Sequence, residues 1–310
     1  MAALYRAFDD IKAGKRGIAL GIFDGVHLGH QQLIGRLRQA SVARGLIPSA
    51  LTFSYPDGLG FDGKPLGQVF LMTEEERVQA LFDQGLEDVF LIPLSPDFCH
   101  LTPQEFLDQI IRDQMGGKIL ALGQDARFGW KNEGDVAFLE DYARKQPLTP
   151  LILGDVDWGG DKVSSSRIRQ ALARGLVEDA HAMMTRPFRL TGQVIPGKKL
   201  GSRLGFPTAN FPYPDHASPL LPGVYMTRVS WQGRVYPAVT SLGVAPSVAR
   251  QDRGVLVESY LYDFSEDLYG QSIQVEFLTF IREEETFSSL AELKDQIQAD
   301  LDKVRALHGL

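Results

Sequence analysis

Cysteine is almost absent from this sequence. Cys99 is the single cysteine among 310 residues, so no disulfide can form within the chain, and a reducing compartment fits this composition. The sequence also has no apolar run of membrane-spanning length, no internal repeat and no low-complexity tract. Its first residues lack the basic-then-apolar pattern of a secretory signal. We therefore expect a cytoplasmic protein without a membrane partner.

Positive charge is also in short supply. Lys and Arg number 32 against 39 Asp and Glu, which gives a formal net charge of -7. This balance argues against a nucleic-acid partner but not against ATP, which needs only a few local donors. The apolar fraction of 44% and the charged fraction of 23% are ordinary for a soluble protein, and the length allows two domains. The sequence does not indicate an oligomeric state.

The most informative stretch is GIFDGVHLGH at residues 21–30. An apolar run at residues 17–23 leads into it, and a run with helical spacing follows, which predicts a buried strand, a tight glycine turn and a helix start. His27 and His30 lie three residues apart at that start, where backbone N–H groups and a partial positive charge suit a phosphate. The stretch therefore predicts a phosphate site.

His-x-Gly-His after a strand resembles the signature of nucleotidylyltransferases. The resemblance implies transfer from the α-phosphate of ATP with release of pyrophosphate. His27 and His30 would then stabilise the charge that builds on the phosphates. Two other interpretations remain, a helix-capping pair and half of a metal site, although a zinc site needs more N or S ligands than this stretch offers.

The first half of the chain alternates strand and helix signals. Strands are predicted at residues 47–53, 89–92, 118–122 and 151–153, and capping boxes that open helices are predicted at Thr73–Glu76 and Thr102–Glu105. Residues 54–68 are rich in Gly and Pro and are predicted to form a long surface loop. Such alternation is typical of a doubly wound α/β fold with a parallel sheet, in which ligands bind beyond the carboxyl ends of the strands.

Two further polar clusters occur in this half. GQDARFG at residues 123–129 follows the fourth predicted strand, and VSSSRIR at residues 163–169 precedes a short helix. Hydroxyl and guanidinium groups are good donors to triphosphate oxygens. The second cluster therefore suggests more phosphate contacts, although an ordinary capped helix with a basic face would read similarly.

From about residue 187, short segments of alternating polarity replace the alternation of strand and helix signals. Strands are predicted at residues 190–195, 223–229, 235–240, 255–262 and 272–280. These predict a small antiparallel β-barrel. A last capping box at Ser289–Glu292 opens a helix whose predicted apolar stripe is Leu290, Leu293, Ile297, Leu301 and Val304. We expect one domain at residues 1–185 and another at residues 186–310.

A glycine-rich stretch, GKKLGSRLGFPTAN, occupies residues 197–210. Thr208 and Asn210 offer two oxygens on one face of an extended segment, which suits Mg²⁺ shared with substrate phosphates. A glycine loop followed by a turn is the alternative on composition alone.

The GFPTAN part of this stretch, residues 205–210, resembles the hallmark of riboflavin kinases. The order of the two halves is similar to the bacterial bifunctional riboflavin kinase/FAD synthetase. The similarity covers nearly the whole chain and includes FDGVHLGH, RFG at residues 127–129, SSSRIR and DLYG at residues 267–270.

The resemblance implies two reactions: phosphorylation of riboflavin to FMN, and adenylylation of FMN to FAD. For adenylylation it implies ATP contacts from Gly21, Phe23, Asp24, His27, His30, Ser164, Ser165 and Arg169, and flavin contacts from Asp125 and Phe128. For the kinase it implies ATP contacts from Gly197, Lys198, Gly205, Pro207, Thr208 and Asn210, with Mg²⁺ held by Thr208 and Asn210. Glu258 matches the general base of the kinase; an outward polar residue on an alternating strand is the alternative.

The sequence departs from the family pattern at several positions. Tyr55 falls where a His-Pro pair is usual, Ala126 where an aromatic precedes Arg-Phe-Gly, Ser202 where an Arg is usual, and Ser241 where an Asn is usual. A lost stacking ring would cost on the order of 1 kcal/mol of flavin binding. Two alternatives follow: a degenerate relative with lost or weakened adenylylation, and a nucleotidylyltransferase for another acceptor.

Overall fold

The computed structural model describes residues 2–55, 58, 60, 69–197, 201, 204–244 and 254–310. The chain divides into two compact units. One contains Met1–Gln68 and Met72–Ser165, and the other contains Val69–Leu71 and Ser166–Leu310. The predicted loop at residues 54–68 lies largely outside the described residues.

Strands and helices alternate through the first unit. In chain order they are β1 (Ala3–Tyr5), β2 (Arg16–Leu20), α1 (Leu28–Val42), β3 (Ile47–Ser54), α2 (Glu74–Asp83), β4 (Asp88–Pro93), α3 (Pro96–Cys99), α4 (Pro103–Glu105), β5 (Gly117–Gly123), α5 (Val136–Lys145), β6 (Thr149–Leu153), β7 (Asp157–Trp158) and β8 (Asp161–Lys162).

A parallel sheet organises this unit, in the order β1-β4-β3-β2-β5-β6. Every residue of β2 is buried, because the two faces of the sheet carry separate apolar clusters. A strand covered on both faces reads as a continuous apolar run, and this explains why β2 to β6 were predicted correctly. The three-residue edge strand β1 was not predicted.

Both capping boxes of the first unit are confirmed. The Thr73 hydroxyl accepts from the Glu76 backbone N–H, and the Glu76 carboxylate accepts from the Thr73 N–H; Thr102 and Glu105 repeat the arrangement. The helix that Thr102 opens continues after α4 as a π-helix over Phe106–Gln114. Caps depend on local residues, so they are visible in the sequence, whereas the wider turn of a π-helix is not.

A buried ion pair ties the amino ends of two strands together. The Arg16 side chain is 1% exposed, and its Nε lies 2.7 Å from the Asp88 carboxylate. The remaining guanidinium nitrogens donate to the carbonyls of Met115 at 3.0 Å and Lys12 at 2.8 Å. The charge is therefore both paired and hydrogen-bonded, as burial of a charge requires.

The second unit is mainly β-structure. Its elements are α6 (Ser165–Ala173), which begins with the last residue of the first unit, α7 (Val177–Met184), β9 (Phe188–Gln193), β10 (Ala209–Pro212), β11 (Gly223–Trp231), β12 (Arg234–Val244), β13 (Val255–Leu261), β14 (Ser272–Arg282) and α8 (Leu290–His308).

Strands β9 to β14 form an antiparallel sheet in the order β10-β13-β12-β11-β14-β9. The two edges approach each other where the Ile195 N–H donates to the Asn210 carbonyl at 2.8 Å, so the sheet is a nearly closed barrel. One face of the sheet carries buried side chains. Among them, the hydroxyls of Thr227, Thr240 and Ser259 form a hydrogen-bonded chain with O–O distances of 2.7 and 2.8 Å. The predicted barrel is confirmed.

Helix α8 packs on the other face of the barrel sheet. Leu301 and Val304 join the apolar cluster of β11, β12 and Tyr262, and Ile297 packs against it. The prediction that Leu290 belongs to this stripe was wrong, because Leu290 is 62% exposed in the first turn of the helix. A forked ion pair also fixes α8, since Arg282 Nε and Nη2 reach the Asp300 carboxylate at 3.0 and 2.7 Å.

The second unit also includes the short segment Val69–Leu71. The Phe70 N–H donates to the His216 carbonyl at 2.8 Å, and the Ser218 N–H donates to the Phe70 carbonyl at 2.8 Å. A three-residue segment far upstream is therefore hydrogen-bonded to the loop between β10 and β11. In the part of the chain that the structure describes, no helix has both the length and the apolar character needed to cross a bilayer.

Candidate active sites

The loop after β2 has an unusual backbone. Phe23 and Val26 have φ angles of 56° and 37°, in the left-handed region that side chains rarely adopt. The Ile22 carbonyl is held in place by the Thr52 hydroxyl at 2.9 Å and by Arg77 Nη1 at 3.0 Å. Backbone strain of this kind persists only where neighbours enforce it, and it concentrates at functional sites.

His27 and His30 follow this loop at the start of α1. Their rings stack with centroids 3.7 Å apart and planes 19° apart. Gly29 leaves room for the stack, because a Cβ there would lie 3.2 Å from His27 Cε1. The Nδ1 atoms of both rings are buried without a hydrogen-bond partner. These two atoms therefore lack the contact that a buried polar atom normally makes.

Burial keeps both rings neutral. It lowers the pKa of His27 from 6.5 to about 4. It also lowers the pKa of His30 well below its usual value, with a smaller contribution from the neighbouring His27. At neutral pH each ring therefore offers one N–H donor and one acceptor nitrogen.

Of the other residues predicted to contact ATP, Gly21 and Asp24 lie in the loop that follows β2, and Ser165 contacts that loop. Asp24 is buried, and its carbonyl accepts from the Ser165 hydroxyl at 2.7 Å. Gly21 faces the Phe23 ring, which a Cβ would approach to 3.2 Å. Ser164 directly precedes α6. Arg169 lies on α6 in the second unit, where its Nε donates to the Val69 carbonyl at 3.0 Å.

Arg77 is a residue of this site that the sequence analysis missed. Its side chain is 3% exposed, and besides Ile22 it donates from Nη2 to the Phe53 carbonyl at 2.6 Å. It thereby joins the segments that follow β2 to the end of β3. No sequence signal marks it, because an arginine on an amphipathic helix normally faces solvent.

A cavity of about 770 Å³ opens beside the carboxyl ends of β2 and β3. It is lined by Leu20, Gly21, Ile22, Phe53, Tyr55, Gly60, Phe98, Cys99, Phe106, Ala126, Arg127, Phe128, Gly129, Trp130, Lys131 and Asn132. Burial raises the pKa of the Tyr55 hydroxyl to about 12, so this group stays protonated. Six of the sixteen lining residues are aromatic, and a large cavity with this many rings, called the aromatic cavity below, suits a planar ligand.

Only one of the two residues predicted to contact flavin lines this cavity. Phe128 lines the cavity. Asp125 is not among the residues that line it, and instead pairs with Lys162 of β8, which also pairs with Asp155 at 2.6 Å. Two of the family departures, Tyr55 and Ala126, line the cavity as well.

The second unit has a cavity of about 300 Å³ between the barrel sheet and α8. Its walls include Thr208, Ser241 and Glu258, together with Arg282, Asp300 and Phe287. Glu258 of β13 lies directly opposite both Asn210 of β10 and Ser241 of β12. Residues opposite each other in a ladder share a face, so the carboxylate and the amide lie side by side. The alternative prediction for Glu258 was an outward position on its strand. That outward side of the strand is the side that faces this cavity.

Among the described members of the predicted kinase set, Asn210 is the most buried. It is 7% exposed, its Nδ2 donates weakly to the Thr208 carbonyl at 3.4 Å, and its Oδ1 has no hydrogen-bond partner. A Cβ on Gly197 would lie 2.2 Å from Asn210 Nδ2, so any larger residue there would displace the amide. Gly205 has a φ of 96°, which favours glycine. Lys198 lies outside the described residues.

A second, smaller cavity of about 180 Å³ adjoins the same segment. It is lined by Val194, Pro207, Thr208, Ala209, Leu261, Phe264, Ser265, Glu266, Asp267, Leu268 and Tyr269. Thr208 lines both this cavity and the larger one. The residues between β13 and β14 that form it include Asp267, Leu268 and Tyr269 of the sequence DLYG. Within the described residues, no group of three or more His, Cys, Asp or Glu side chains could hold a metal ion.

Comparison with known proteins covers both units. A family model for FAD synthetase matches residues 11–167, and one for riboflavin kinase matches residues 184–308. The bifunctional riboflavin kinase/FMN adenylyltransferase of Pseudomonas fluorescens is 35% identical over 306 residues, covering 98% of this chain and 97% of that protein. The enzyme of the same name from Escherichia coli K12 is 34% identical, covering 94% of this chain and 93% of its own.

Among solved structures, a crystal structure described as a macrolide-efflux protein from Streptococcus pneumoniae superposes with a TM-score of 0.85. It is 29% identical and covers 98% of both chains. The two family models together match most of the chain, the relatives are similar over nearly their full length, and the chain belongs to the family of bifunctional riboflavin kinases/FMN adenylyltransferases.

Proposed function

We propose that the second unit phosphorylates riboflavin to FMN and that the first unit adenylylates FMN to FAD. The observation that carries this proposal is a set of buried polar atoms without partners, His27 Nδ1, His30 Nδ1 and Asn210 Oδ1. Each belongs to a residue that the sequence predicts to hold ATP or its metal. A buried polar atom without a partner costs about 1–3 kcal/mol, and a bound nucleotide would remove that cost.

In the first unit, FMN would occupy the aromatic cavity and ATP the histidine loop. A phosphate oxygen of FMN attacks the α-phosphorus of ATP, a new P–O bond forms, and the bond to the β-phosphate breaks to release pyrophosphate. The neutral imidazoles of His27 and His30 donate hydrogen bonds to oxygens that gain charge, and the amino end of α1 adds its partial positive charge. Gly21, Phe23, Asp24, Ser164, Ser165 and Arg169 complete the proposed ATP contacts.

In the second unit, riboflavin would occupy the cavity beside α8, and ATP the smaller cavity. Glu258 takes the proton from the terminal hydroxyl of riboflavin as the hydroxyl oxygen bonds to the γ-phosphorus and ADP leaves. Thr208 lines both cavities, and this position supports the proposal that it contacts ATP next to the riboflavin hydroxyl. Gly197, Lys198, Gly205 and Pro207 are the further proposed ATP contacts.

Magnesium fits the donors of this segment. The unpartnered Asn210 Oδ1 and the Thr208 hydroxyl are hard oxygen donors, and Mg²⁺ favours such ligands together with phosphate oxygens and water. When bound there, the ion would neutralise charge on the transferred phosphoryl group. Asn210 would hold it, and Glu258 opposite would remain the proton acceptor.

We also propose that Phe128 and Asp125 contact the flavin, and the position of Phe128 in the cavity wall supports this. We further propose a domain boundary between residues 185 and 186. Finally, we propose that the protein acts in the cytoplasm without a nucleic-acid or membrane partner, which the single cysteine and the acidic charge balance support. The alternatives of a degenerate relative and of another phosphate acceptor gain no support from the family models or the full-length relatives.

A product assay tests the two assignments together. With riboflavin, Mg²⁺ and ATP, the protein should form FMN and then FAD. His30→Ala should lower FAD formation by a factor of about 10²–10³, as loss of a preorganised donor does, and should leave FMN formation intact. Glu258→Ala should abolish FMN formation, and FAD should still form from supplied FMN.

Each variant carries its own control, because the other reaction reports on folding. His181→Ala, an exposed histidine on α7, should change neither reaction. Loss of both reactions in either active-site variant, with the fold intact by circular dichroism, would refute the division into two sites.

A further inference from the structure

The aromatic cavity of the first unit has two kinds of ring in its wall. Phe53, Phe106 and Phe128 are almost fully buried and belong to the apolar core. Phe98 packs on that core and contacts Phe53 and Phe106 at centroid distances of 5.6 and 6.0 Å. These rings therefore pack against one another and form the floor of the cavity.

Trp130 lines the same cavity but is not part of that core. Its indole packs against the His100 ring, with centroids 4.2 Å apart and planes 41° apart. Lys131 Nζ lies 5.7 Å from the centroid of the indole. An indole that is held by surface neighbours and borders a large cavity is available for a planar ligand.

The turn that carries Trp130 is rigid. Phe128 and Gly134 exchange two backbone hydrogen bonds of 3.0 Å, which close the loop. The backbone N–H of Trp130 donates to the Leu101 carbonyl at 2.7 Å. Gly129 packs so tightly that a Cβ would lie 2.7 Å from the Pro103 nitrogen. The backbone that carries the indole is thus held in one conformation before a ligand binds, which lowers the entropic cost of binding.

The backbone of this turn is also strained. Lys131 and Asn132 have φ angles of 53° and 60°, and both line the cavity. Two successive left-handed residues without glycine are costly and point to a functional constraint. A turn kept in this conformation positions the preceding side chain, Trp130.

Ala126 lies on the wall of the same cavity and contributes only a methyl group. The space that a larger side chain would fill there remains open to a ligand. The cavity therefore combines a small residue at position 126 with a large preorganised ring at position 130.

We propose that Trp130 is the residue on which the isoalloxazine ring of FMN stacks during adenylylation, and that it supplies the aromatic surface which Ala126 lacks. This inference rests on the proposed function of the first unit. Trp130 contacts the flavin and not the reacting phosphates, so it determines affinity for FMN and leaves the chemical step alone.

The test measures initial rates of FAD formation from supplied FMN. Trp130→Ala should raise the KM for FMN about two- to tenfold, the range of one aromatic pair. The kcat and the KM for ATP should stay within twofold. Trp130→Phe should retain most of the affinity, and Trp130→Ala combined with Ala126→Phe should recover it, because both positions face one cavity.

Fluorescence adds a direct measurement. Stacking on an indole should quench the flavin emission, and Trp130→Ala should lose this part of the quenching. Trp158→Phe, in the same unit, serves as the matched control and should leave both the quenching and the KM unchanged.

An unchanged KM for FMN in Trp130→Ala, with FAD still formed, would overturn the inference. A parallel rise in the KM for ATP would also overturn it, because a collapsed turn would disturb both substrates. If the unaltered protein formed no FAD at all, the proposed function itself would fail, which is a different outcome.

Discussion

Protonation of His27 should destabilise the first unit in mildly acidic solution. Its folded-state pKa is about 4, whereas the usual value is 6.5. The unfolded chain therefore binds this proton below about pH 6.5, and the folded chain does not until about pH 4. The stability that the neutral ring contributes is complete above pH 6.5 and is lost as the pH falls toward 4.

The size of the effect follows from this shift. At pH 5 the unfolded ring is almost fully protonated and the folded ring almost fully neutral, so the linkage relation gives a loss of about 2 kcal/mol. His30 adds to this loss, because burial lowers its pKa as well. His27→Gln, which carries no titrating group, should remove the contribution of His27.

Amide hydrogen exchange in β2 measures this loss in the first unit alone. The opening free energy of the buried Ile18 and Ala19 amides is compared at pH 7.5 and pH 5 in both proteins. The unaltered protein should lose about 2 kcal/mol more than His27→Gln. Equal losses in the two proteins would refute the reasoning, because they would mean that the folded ring titrates normally.

Two further changes test other features. Asp88→Asn leaves the buried Arg16 guanidinium without its carboxylate and should lower the free energy of unfolding by roughly 3–5 kcal/mol in urea denaturation; a loss under about 1 kcal/mol would contradict the buried pair. Gly197→Ala should push the Asn210 amide aside and raise the KM for ATP in FMN formation about tenfold, the equivalent of one lost hydrogen bond. FAD formation from supplied FMN should not change, and Gly254→Ala, where a Cβ meets nothing within 4 Å, should alter neither; a normal KM in Gly197→Ala would refute the role of that contact.

The sequence predicted the parts of the fold that depend on local patterns. Continuous apolar runs marked β2 to β6, and capping boxes marked α2 and α4. The edge strand β1 and the strand β10 have only three and four residues, too few for a period to show, and α5 and α7 were missed. Leu290 fits the helical period of α8 yet projects from its first turn, where no partner surface reaches.

The sites were predictable to the extent that motifs carried them. His27 and His30 stand in a strand-turn-helix whose geometry follows from adjacent residues. Arg77 reaches the loop after β2 from a helix more than 50 residues downstream, and only the packed structure brings it there. Trp130 directly follows the predicted segment at residues 123–129, but no motif marks it. The pKa values of the two imidazoles are lowered mainly by burial, and that burial depends on packing that no single segment encodes.

The pairing of Phe70 with His216 and Ser218 bears on how the polypeptide can be divided. A fragment that starts at residue 186 would retain all six barrel strands but would leave the His216 carbonyl and the Ser218 N–H without the partner they have in the intact chain. Separately expressed halves would therefore not reproduce the native barrel loop, and an added peptide spanning residues 69–71 would be needed to restore it. A cut of the chain at residue 186 would therefore separate Phe70 from the bridge that it forms with the loop between β10 and β11.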